Sequence, residues 1–321
     1  MSRFKVLQTD RAWPDTPLEQ EILEEVDAEL VAAPDGREET LIDLARDADV
    51  IFTNWAKVTE KVIEATTRCR LICRTGIGLD NIAIPAATRR GILVTNVPDY
   101  CVEEVADHTL ALLLGLARKI AFYHQRTKAG EYRLQAGPSM HRLRTQTLGL
   151  IGLGRIGQAV AQRAKGFGLT VLGNTSSGSD HGTGLPMVSL EELLARSDYL
   201  SLHAPLTDAT RHLLGPEKLQ KVKPHVGIIN TSRGPLIDPA ALWQALQENR
   251  VGGAALDVFE PEPPDLSQPL YRDERVIVTP HAAFVSEESL TELRTRVAHQ
   301  AVDCLSGKQP PHIVNPEAIR R

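Results

Sequence analysis

The chain has 321 residues, of which 42% are hydrophobic, 24% are charged and only 4% are aromatic. This length is enough for two domains, each with its own hydrophobic core. The net charge of −5 and the scarcity of aromatic residues argue against a nucleic-acid partner, which favours basic patches and stacking side chains. The longest apolar run, near residues 110–117, is too short to span a bilayer, so we expect no membrane partner either.

The cysteines and the N-terminus indicate a cytoplasmic protein. Cys69 and Cys73 flank a short apolar run, at a spacing typical of neither a redox pair nor a zinc site, and Cys101 and Cys304 stand far from them in the sequence. We therefore expect reduced thiols and no bound metal. The first residues contain no apolar segment of signal-peptide length, which favours a cytoplasmic location.

Short apolar runs alternate with helical patterns along the first hundred residues. The five runs that have the composition of buried strands lie near residues 5–9, 29–33, 49–53, 70–74 and 92–96. Strands that alternate with helices predict parallel βαβ units in an open sheet covered on both faces. The predicted class is therefore α/β, with a five-stranded, doubly wound, flavodoxin-like first domain.

The alternation restarts after a long helix predicted near residues 102–120. Six further strand-like runs lie near residues 147–151, 169–172, 199–203, 226–230, 253–258 and 276–279. They predict a second doubly wound domain, and a final helix near 286–306 is long enough to return to the first. We expect a discontinuous substrate domain made of residues 1–98 and 288–321, a Rossmann domain of residues 99–287, and a cleft between the two.

One glycine-rich turn has the pattern of a dinucleotide-binding loop. The strand near 147–151 runs into the sequence GLGRIG, which opens a helix. The first glycine allows a tight turn, the second lets the backbone approach a pyrophosphate, and the third lets helix and strand pack together. The free amides at the helix N-terminus favour an anion there. The predicted cofactor contacts are Gly152, Gly154, Arg155, Ile156 and Gly157.

The position that selects between NAD and NADP carries no acid. A carboxylate about 20 residues beyond the glycines binds the ribose 2′-hydroxyl of NAD. This chain has Thr175 at that place, followed by Ser176 and Ser177. A 2′-phosphate is therefore not repelled, yet no arginine follows at once to bind one. We expect either NAD or NADP as cofactor, and the two serines are equally compatible with a phosphate contact and with a plain polar loop.

Three residues at predicted strand ends match the chemistry of 2-oxo acid reduction. Arg233, Glu262 and His281 follow the strands near 226–230, 253–258 and 276–279. An arginine can hold a carboxylate, a histidine can supply a proton, and a neighbouring carboxylate favours the protonated histidine. Ligands of doubly wound sheets bind at the carboxyl ends of strands, so we expect all three beside the glycine loop. Each residue alone fits an ordinary turn or surface position; their joint occurrence supports the prediction.

Several separated segments resemble the D-isomer-specific 2-hydroxyacid dehydrogenases. They are TGIGLDN from Thr75, NVPD from Asn96, GLGRIG from Gly152, SLHAPLT from Ser201, NTSRG from Asn230, ALDVFEPEP from Ala255 and TPHA from Thr279. The family includes phosphoglycerate, glyoxylate/hydroxypyruvate and D-lactate enzymes, and the resemblance covers nearly the whole chain. It implies an oxidoreductase that transfers a hydride between NAD(P)H and a small 2-oxo or D-2-hydroxy acid.

The resemblance also implies roles for individual residues. His281 is implied to be the acid/base, Arg233 the substrate clamp, and Glu262 the partner of His281. Glu262 is preferred to Glu260 because the family's acid lies just before the second proline of its segment. Asp257 is implied to contact the nicotinamide carboxamide. The other implied contacts are Thr175, Thr231, His203 and Pro205 for the cofactor, and the Gly76, Ile77 and Gly78 amides for the substrate carboxylate.

The family resemblance extends to assembly and to one alternative function. A homodimer is expected through the region of the long helix, although the apolar face of that helix is equally compatible with an internal core. The segment from Asn96 to Asp107 resembles the C-terminal-binding transcriptional corepressors, which offers a dinucleotide-sensing binding protein with little turnover as the alternative. The complete catalytic trio and the short C-terminus favour the enzyme. A regulatory C-terminal domain with serine feedback is not expected.

Overall fold

The apolar runs form eleven β-strands within residues 2–320, the part of the chain that a computed structural model describes. Met1 and Arg321 lie outside the described residues. The chain divides into two compact units: Met1–Tyr100 with Ser286–Arg321, and Cys101–Val285. The pairs between these strands are parallel in both units. The predicted α/β class with two doubly wound sheets is therefore confirmed.

The first unit contains a five-stranded sheet in the order β2-β1-β3-β4-β5, which is the flavodoxin-like order. Its strands are β1 (Phe4–Gln8), β2 (Ala28–Ala32), β3 (Val50–Thr53), β4 (Leu71–Arg74) and β5 (Leu93–Thr95), joined by helices α1 (Pro17–Leu23), α2 (Glu38–Ala45), α3 (Glu60–Ala65) and α4 (Ile84–Arg89). Leu7, Ile51, Ile72 and Val94 are register partners in turn across four strands, and all are fully buried. This apolar ladder forms part of the core on one face of the sheet.

The second unit contains a six-stranded sheet in the order β11-β10-β9-β8-β6-β7. Its strands are β6 (Thr147–Ile151), β7 (Thr170–Asn174), β8 (Tyr199–Leu202), β9 (Val226–Asn230), β10 (Val251–Leu256) and β11 (Val276–Val278). A single parallel bridge from Gly173 to Met187 extends the sheet beyond β7, where the Rossmann order has its third strand. The strand order reverses between β6 and β8, and ligands of such sheets bind outside a reversal of this kind.

Seven helices surround this second sheet within the described residues. They are α5 (Val102–Ala117), α6 (Ile120–Lys128), α7 (Arg155–Gly166), α8 (Leu190–Arg196), α9 (Pro216–Leu219), α10 (Pro239–Gln247) and α11 (Pro269–Arg272). Side chains cap two of them at the N-terminus: the Ser189 hydroxyl accepts from the Glu192 amide, and the Asp238 carboxylate accepts from the first amides of α10.

The long helix predicted near residues 102–120 is shorter than expected. It ends at Ala117, and Lys119, with a φ of 54°, separates it from α6. Leu113 and Leu116 of α5 pack with Ile229 of β9 and Ala255 of β10 in one buried cluster. Much of the apolar face of α5 is therefore internal core.

The chain returns to the first unit through helix α12 (Glu287–Leu305). Ser286 and Ser289 form a reciprocal capping box that starts the helix at the predicted place. Gln300 is buried and bonds to Thr95 and Asn96 at the end of β5, which anchors α12 to the first sheet. Across residues 2–320, every helix is too short or too polar to cross a bilayer.

Candidate active site in the second unit

The glycine-rich turn follows β6 and leads directly into α7. Gly152 has a φ of 99°, in the region that favours glycine. A Cβ there would lie 2.7 Å from the carbonyl carbon and oxygen of His203, so a side chain would collide with the chain after β8. The Gly152 amide donates to the Asn174 carbonyl at 2.8 Å. This first glycine therefore allows a turn that packs tightly between β7 and β8.

The other two glycines of the turn have different surroundings. A Cβ on Gly157 would collide with the Gly152 carbonyl oxygen, so this glycine lets α7 pack closely against the turn. Gly154 has no heavy atom within 4 Å of a built Cβ, and it is exposed at the N-cap of α7. The amides of the first helical turn lack intrahelical acceptors and carry partial positive charge. The open space at Gly154 and these amides fit the pyrophosphate of a dinucleotide.

The chain after β7 forms a polar loop without an acid at its first position. The Thr175 hydroxyl donates to the Ser179 carbonyl at 3.0 Å and lies 3.4 Å from the Ser177 hydroxyl. Asp180, five residues further on, accepts from the amides of Gly182 and Gly184, and these hydrogen bonds lower the pKa of its carboxyl. The acid of this loop is therefore engaged with the loop's own backbone.

The chain after β8 places a neutral histidine beside the glycine turn. The His203 amide donates to the Ile151 carbonyl, and its Nε2 lies 2.9 Å from the buried Ser201 hydroxyl. Part of the residue is accessible, but protein surrounds the ring, and this desolvation lowers the pKa of His203 to about 4. The ring is neutral at physiological pH. Pro205 follows on the exposed part of this loop, where its carbonyl accepts from Thr210.

The loop after β9 carries Thr231 and Arg233. Thr231 is buried, and its hydroxyl lies 2.8 Å from that of Thr109 on α5. The Asn230 side chain braces the turn by donating to the Arg233 carbonyl and accepting from the Ser232 amide. A Cβ on Gly234 would collide with the backbone of Phe259, so the glycine after the arginine lets this loop lie against the one after β10.

The strand register brings the ends of β9, β10 and β11 level. Asn230 pairs with Leu256, and Leu256 pairs with Val278. The loops that carry Arg233, Glu262 and His281 therefore leave the sheet side by side, at the carboxyl edge that also carries the glycine turn.

Glu262 and His281 are in direct contact. Nδ1 of His281 lies 2.9 Å from Oε2 of Glu262, while Oε1 accepts from the Phe259 amide at 2.7 Å. Both side chains are partly accessible, 23% for the histidine and 32% for the glutamate, so the pair can meet a ligand. A carboxylate only accepts hydrogen bonds, so it selects the imidazole form with a proton on Nδ1.

Glu260, the other acid of this segment, points elsewhere. Its carboxylate forms an ion pair with Arg211 and lies 2.7 Å from Nε2 of His212. Both partners belong to the loop after β8. The structure therefore gives His281 one acidic partner from this segment, and that partner is Glu262.

Asp257 lies beneath the His281 loop and is fully buried. Its carboxylate accepts from the Thr279 hydroxyl at 2.5 Å and from the Ala282 and Ala283 amides at 2.9 Å. Its carbonyl accepts from the His281 amide. In addition to the cofactor contact expected from the sequence, Asp257 thus organises the loop that carries His281.

The Gly76–Gly78 turn belongs to the first unit and follows β4. Gly76 is buried with a φ of 149°, and its amide donates to the Arg74 carbonyl at 2.9 Å. This amide is therefore engaged internally, in contrast to the expectation that it points to a ligand. Ile77 and Gly78 are half-buried, and the Ile77 carbonyl accepts from the Asn96 side chain.

Sequence reasoning assigned no role to three polar residues that shape the site. Asn230 braces the arginine loop, Thr279 bonds to Asp257, and Nε2 of His108 on α5 lies 3.0 Å from the Thr279 hydroxyl. Asn230 and Thr279 were visible as members of the quoted motifs. His108 was marked only by being polar beside the apolar face of a helix, which is a weak signal.

Comparison with known proteins gives the family of this chain. The model of the D-isomer-specific 2-hydroxyacid dehydrogenase NAD-binding domain matches residues 110–283. The chain belongs to this family. A glyoxylate reductase of Korarchaeum cryptofilum is 38% identical over 87% of this chain and 86% of its own length. The predicted family membership is therefore confirmed, and the protein is an NAD(P)-dependent D-2-hydroxyacid dehydrogenase.

Two solved structures of similar fold contain nicotinamide cofactors. D-lactate dehydrogenase from Aquifex aeolicus, complexed with NAD and lactic acid, superposes with a TM-score of 0.88, at 29% identity over 97% of this chain and 99% of that chain. The acyclic imino acid reductase Bsp5, in complex with NADPH and D-Arg, has a TM-score of 0.87, at 28% identity over 97% of this chain and 100% of that chain. This fold therefore accommodates either cofactor.

Proposed function

We propose that this dehydrogenase reduces small 2-oxo acids to D-2-hydroxy acids with His281 as the general acid. The contact between His281 Nδ1 and Glu262 carries the proposal. It leaves the transferable proton on Nε2 of the imidazolium. When bound, the nicotinamide cofactor supplies the hydride that goes to C2 of the acid. His281 gives its Nε2 proton to the carbonyl oxygen during reduction and takes it back from the hydroxyl during oxidation.

Arg233 is proposed to hold the substrate. Its position at the end of β9 is level with the ends of β10 and β11, and Asn230 fixes the backbone that carries it. A guanidinium can bind a carboxylate through two parallel hydrogen bonds and also polarise the neighbouring ketone oxygen. In the first unit, the Ile77 and Gly78 amides are proposed to bind the substrate carboxylate, without the amide of Gly76.

The cofactor is proposed to lie along the glycine turn, with its pyrophosphate over Gly154 and the amides of Arg155 and Ile156. Gly152 and Gly157 permit the approach, and the chain after β8 with Thr231 and Asp257 lines the nicotinamide side. Thr175 faces the adenosine ribose. We propose that NADH and NADPH are both used, because no carboxylate at Thr175 repels a 2′-phosphate.

A substrate panel with a His281→Ala variant tests this function. Glyoxylate, hydroxypyruvate, pyruvate and longer 2-oxo acids are mixed with NADH or NADPH, and the loss of cofactor absorbance is followed. We expect turnover of at least one small acid with both cofactors. His281→Ala should reduce kcat about 10²- to 10⁴-fold while cofactor binding is retained. No turnover of any acid, or a near-normal rate in the variant, would contradict the proposal.

Assembly and location complete the proposal. We propose a cytoplasmic homodimer, in line with the lack of a disulfide among Cys69, Cys73, Cys101 and Cys304 in the described residues. The exposed apolar side chains of Ile120, Tyr132 and Leu134, at and after the start of α6, offer a surface for a second copy. Sedimentation equilibrium tests this, since replacement of Tyr132 and Leu134 by serine should shift a dimer towards the monomer.

A further inference from the structure

The Thr279 hydroxyl lies between a buried carboxylate and a histidine from another element. Its oxygen is 2.5 Å from Oδ1 of Asp257 and 3.0 Å from Nε2 of His108. His108 is on α5, whereas Thr279 follows β11, so the contact joins residues 171 positions apart in the sequence. The His108 side chain is 25% exposed and that of Asp257 is not exposed at all.

The direction of these two hydrogen bonds follows from the chemistry of the groups. A carboxylate that accepts from two amides is acceptor-only, so the Thr279 hydroxyl must donate its single proton to Asp257. The Thr279 oxygen is then the acceptor for His108, which carries a proton on Nε2. The three side chains therefore form a chain of hydrogen bonds with one direction, from His108 through Thr279 to Asp257.

These hydrogen bonds hold the polypeptide on both sides of His281, through the Thr279 side chain before it and through two backbone amides after it. Asp257 accepts from the Ala282 and Ala283 amides, which follow His281, and from Thr279, which precedes it. His281 itself has a φ of 54°, in the left-handed region that is sterically unfavourable for a residue with a Cβ. Such a conformation persists only where the surrounding contacts enforce it.

We propose that His108 and Thr279 are positioning residues for His281. They fix the Asp257 carboxylate and through it the left-handed turn that aims the imidazole at the substrate and keeps Nδ1 against Glu262. The proposal rests on the proposed function, in which His281 is the acid/base. It adds that the geometry of this acid depends on a histidine of α5, which acts through Thr279 and Asp257.

The decisive variant is Thr279→Val, which keeps the shape of the side chain and removes the hydroxyl. A displacement of about 1 Å at a reacting group can cost about 10²-fold in rate, so we expect kcat to fall between about 10- and 100-fold. The Kd for the cofactor should stay within about 2-fold, since the change affects the chemical step. Thr279→Ser retains the hydroxyl and should restore most of the rate.

His108→Ala tests the other end of this series of hydrogen bonds, with His124→Ala as the matched control. His124 is exposed on the next helix, α6, and its replacement should leave kcat unchanged. His108→Ala should reduce kcat in the same direction as Thr279→Val. Removing both groups in one protein should cost less than the product of the two single effects, because they act through one carboxylate.

A cofactor deuterated at the transferred position separates positioning from simple stabilisation. If the variants slow the chemical step, the isotope effect on kcat rises as kcat falls. A merely structural role would lower the melting temperature and the active fraction, but leave kcat per cofactor-binding site and the isotope effect unchanged. That result in His108→Ala and Thr279→Val would overturn the proposal; if Thr279→Val does not fold, His108→Ala decides.

The His281→Ala variant distinguishes failure of this inference from failure of the proposed function. If His281→Ala is inactive while Thr279→Val and His108→Ala are fully active, the acid/base assignment stands and the positioning chain is wrong. If His281→Ala is itself active, the proposed function fails first.

Discussion

The glycine turn and the His281 loop use opposite means to present a ligand site at one edge of the same sheet. At Gly152 the chain adopts a φ of 99°, and glycine has little steric penalty there. At His281 the chain adopts a φ of 54° with a side chain present, and a network from Asp257 holds it. The first loop adopts its positive φ because it has no side chain there, and the second adopts its positive φ because side chains distant in the sequence hold it.

The comparison shows which part of the site is determined by residues adjacent in the sequence and which part depends on distant ones. The glycine turn is specified by six consecutive residues and the elements on either side. The histidine loop needs the carboxylate that directly follows β10, a glutamate from the next segment and a histidine from α5. Substitutions should therefore act through local collisions in the first loop and through lost distant partners in the second.

The largest expected effect is in the histidine loop, where Glu262→Gln is compared with Glu260→Gln. A glutamine at 262 can donate to Nδ1 and select the wrong imidazole form, so kcat should fall about 10²- to 10⁴-fold. Glu260 forms an ion pair with the partly exposed Arg211 and lies beside His212, and an exposed ion pair contributes about 0–1 kcal/mol. Glu260→Gln should therefore change kcat less than about 5-fold. Steady-state kinetics on both variants checks this, and equal losses would contradict the pairing of His281 with Glu262.

A smaller effect is expected in the glycine turn, where Gly157→Ala is compared with Gly154→Ala. The added methyl at 157 collides with the Gly152 carbonyl, so the variant should lose about 1–3 kcal/mol of unfolding free energy and bind the cofactor weakly. The methyl at 154 meets only open space, and stability should fall by at most about 1 kcal/mol. Gly154→Ala should instead weaken cofactor binding and raise the Kd for the cofactor about 10-fold.

Urea unfolding and cofactor titration separate these two outcomes. A Gly154→Ala protein that binds NADH and NADPH as tightly as the parent would show that the open space at Gly154 is not used by the cofactor.

The smallest effect concerns His203, which lies beside the glycine turn. Its pKa is about 4 in the folded protein and near 6.5 in the unfolded chain, because burial favours the neutral ring. Between these values the unfolded state binds more protons, so stability is lost as the pH falls from 6.5 to 4. Partial access of water limits the loss to about 1–2 kcal/mol. His203→Gln should flatten this part of the stability profile in urea unfolding; a profile unchanged by the substitution would contradict the lowered pKa.

The fold was predictable from the sequence because strands and helices alternate with clear periodicity. The predicted strand near 147–151 coincides with β6, and the capping residue Ser286 starts α12 where the pattern places it. The end of α5 was not predictable, since the turn at Lys119 depends on where the buried face stops, and nothing in the local sequence marks that point. The helix α6 escaped prediction because its apolar pattern is weak.

One contact of the candidate site was predictable from the sequence, and other contacts were not. The family resemblance implied the pairing of Glu262 with His281, and the structure places Oε2 of Glu262 2.9 Å from Nδ1 of His281. Two further contacts could not be inferred: the engagement of the Gly76 amide with Arg74, and the link from His108 to Thr279. The first depends on backbone angles, and the second depends on the packing of a helix against a distant strand.

The order of strands in the second sheet has a consequence for how this enzyme can evolve. Among the six strands, β7 and β11 are the outermost, so the loops that follow them lie five strand spacings, or roughly 24 Å, apart along the same carboxyl edge. Substitutions at that separation combine additively in free energy. Substitutions in the loop of Thr175 can therefore change the preference for a phosphorylated or unphosphorylated coenzyme without disturbing the proposed proton donor, His281.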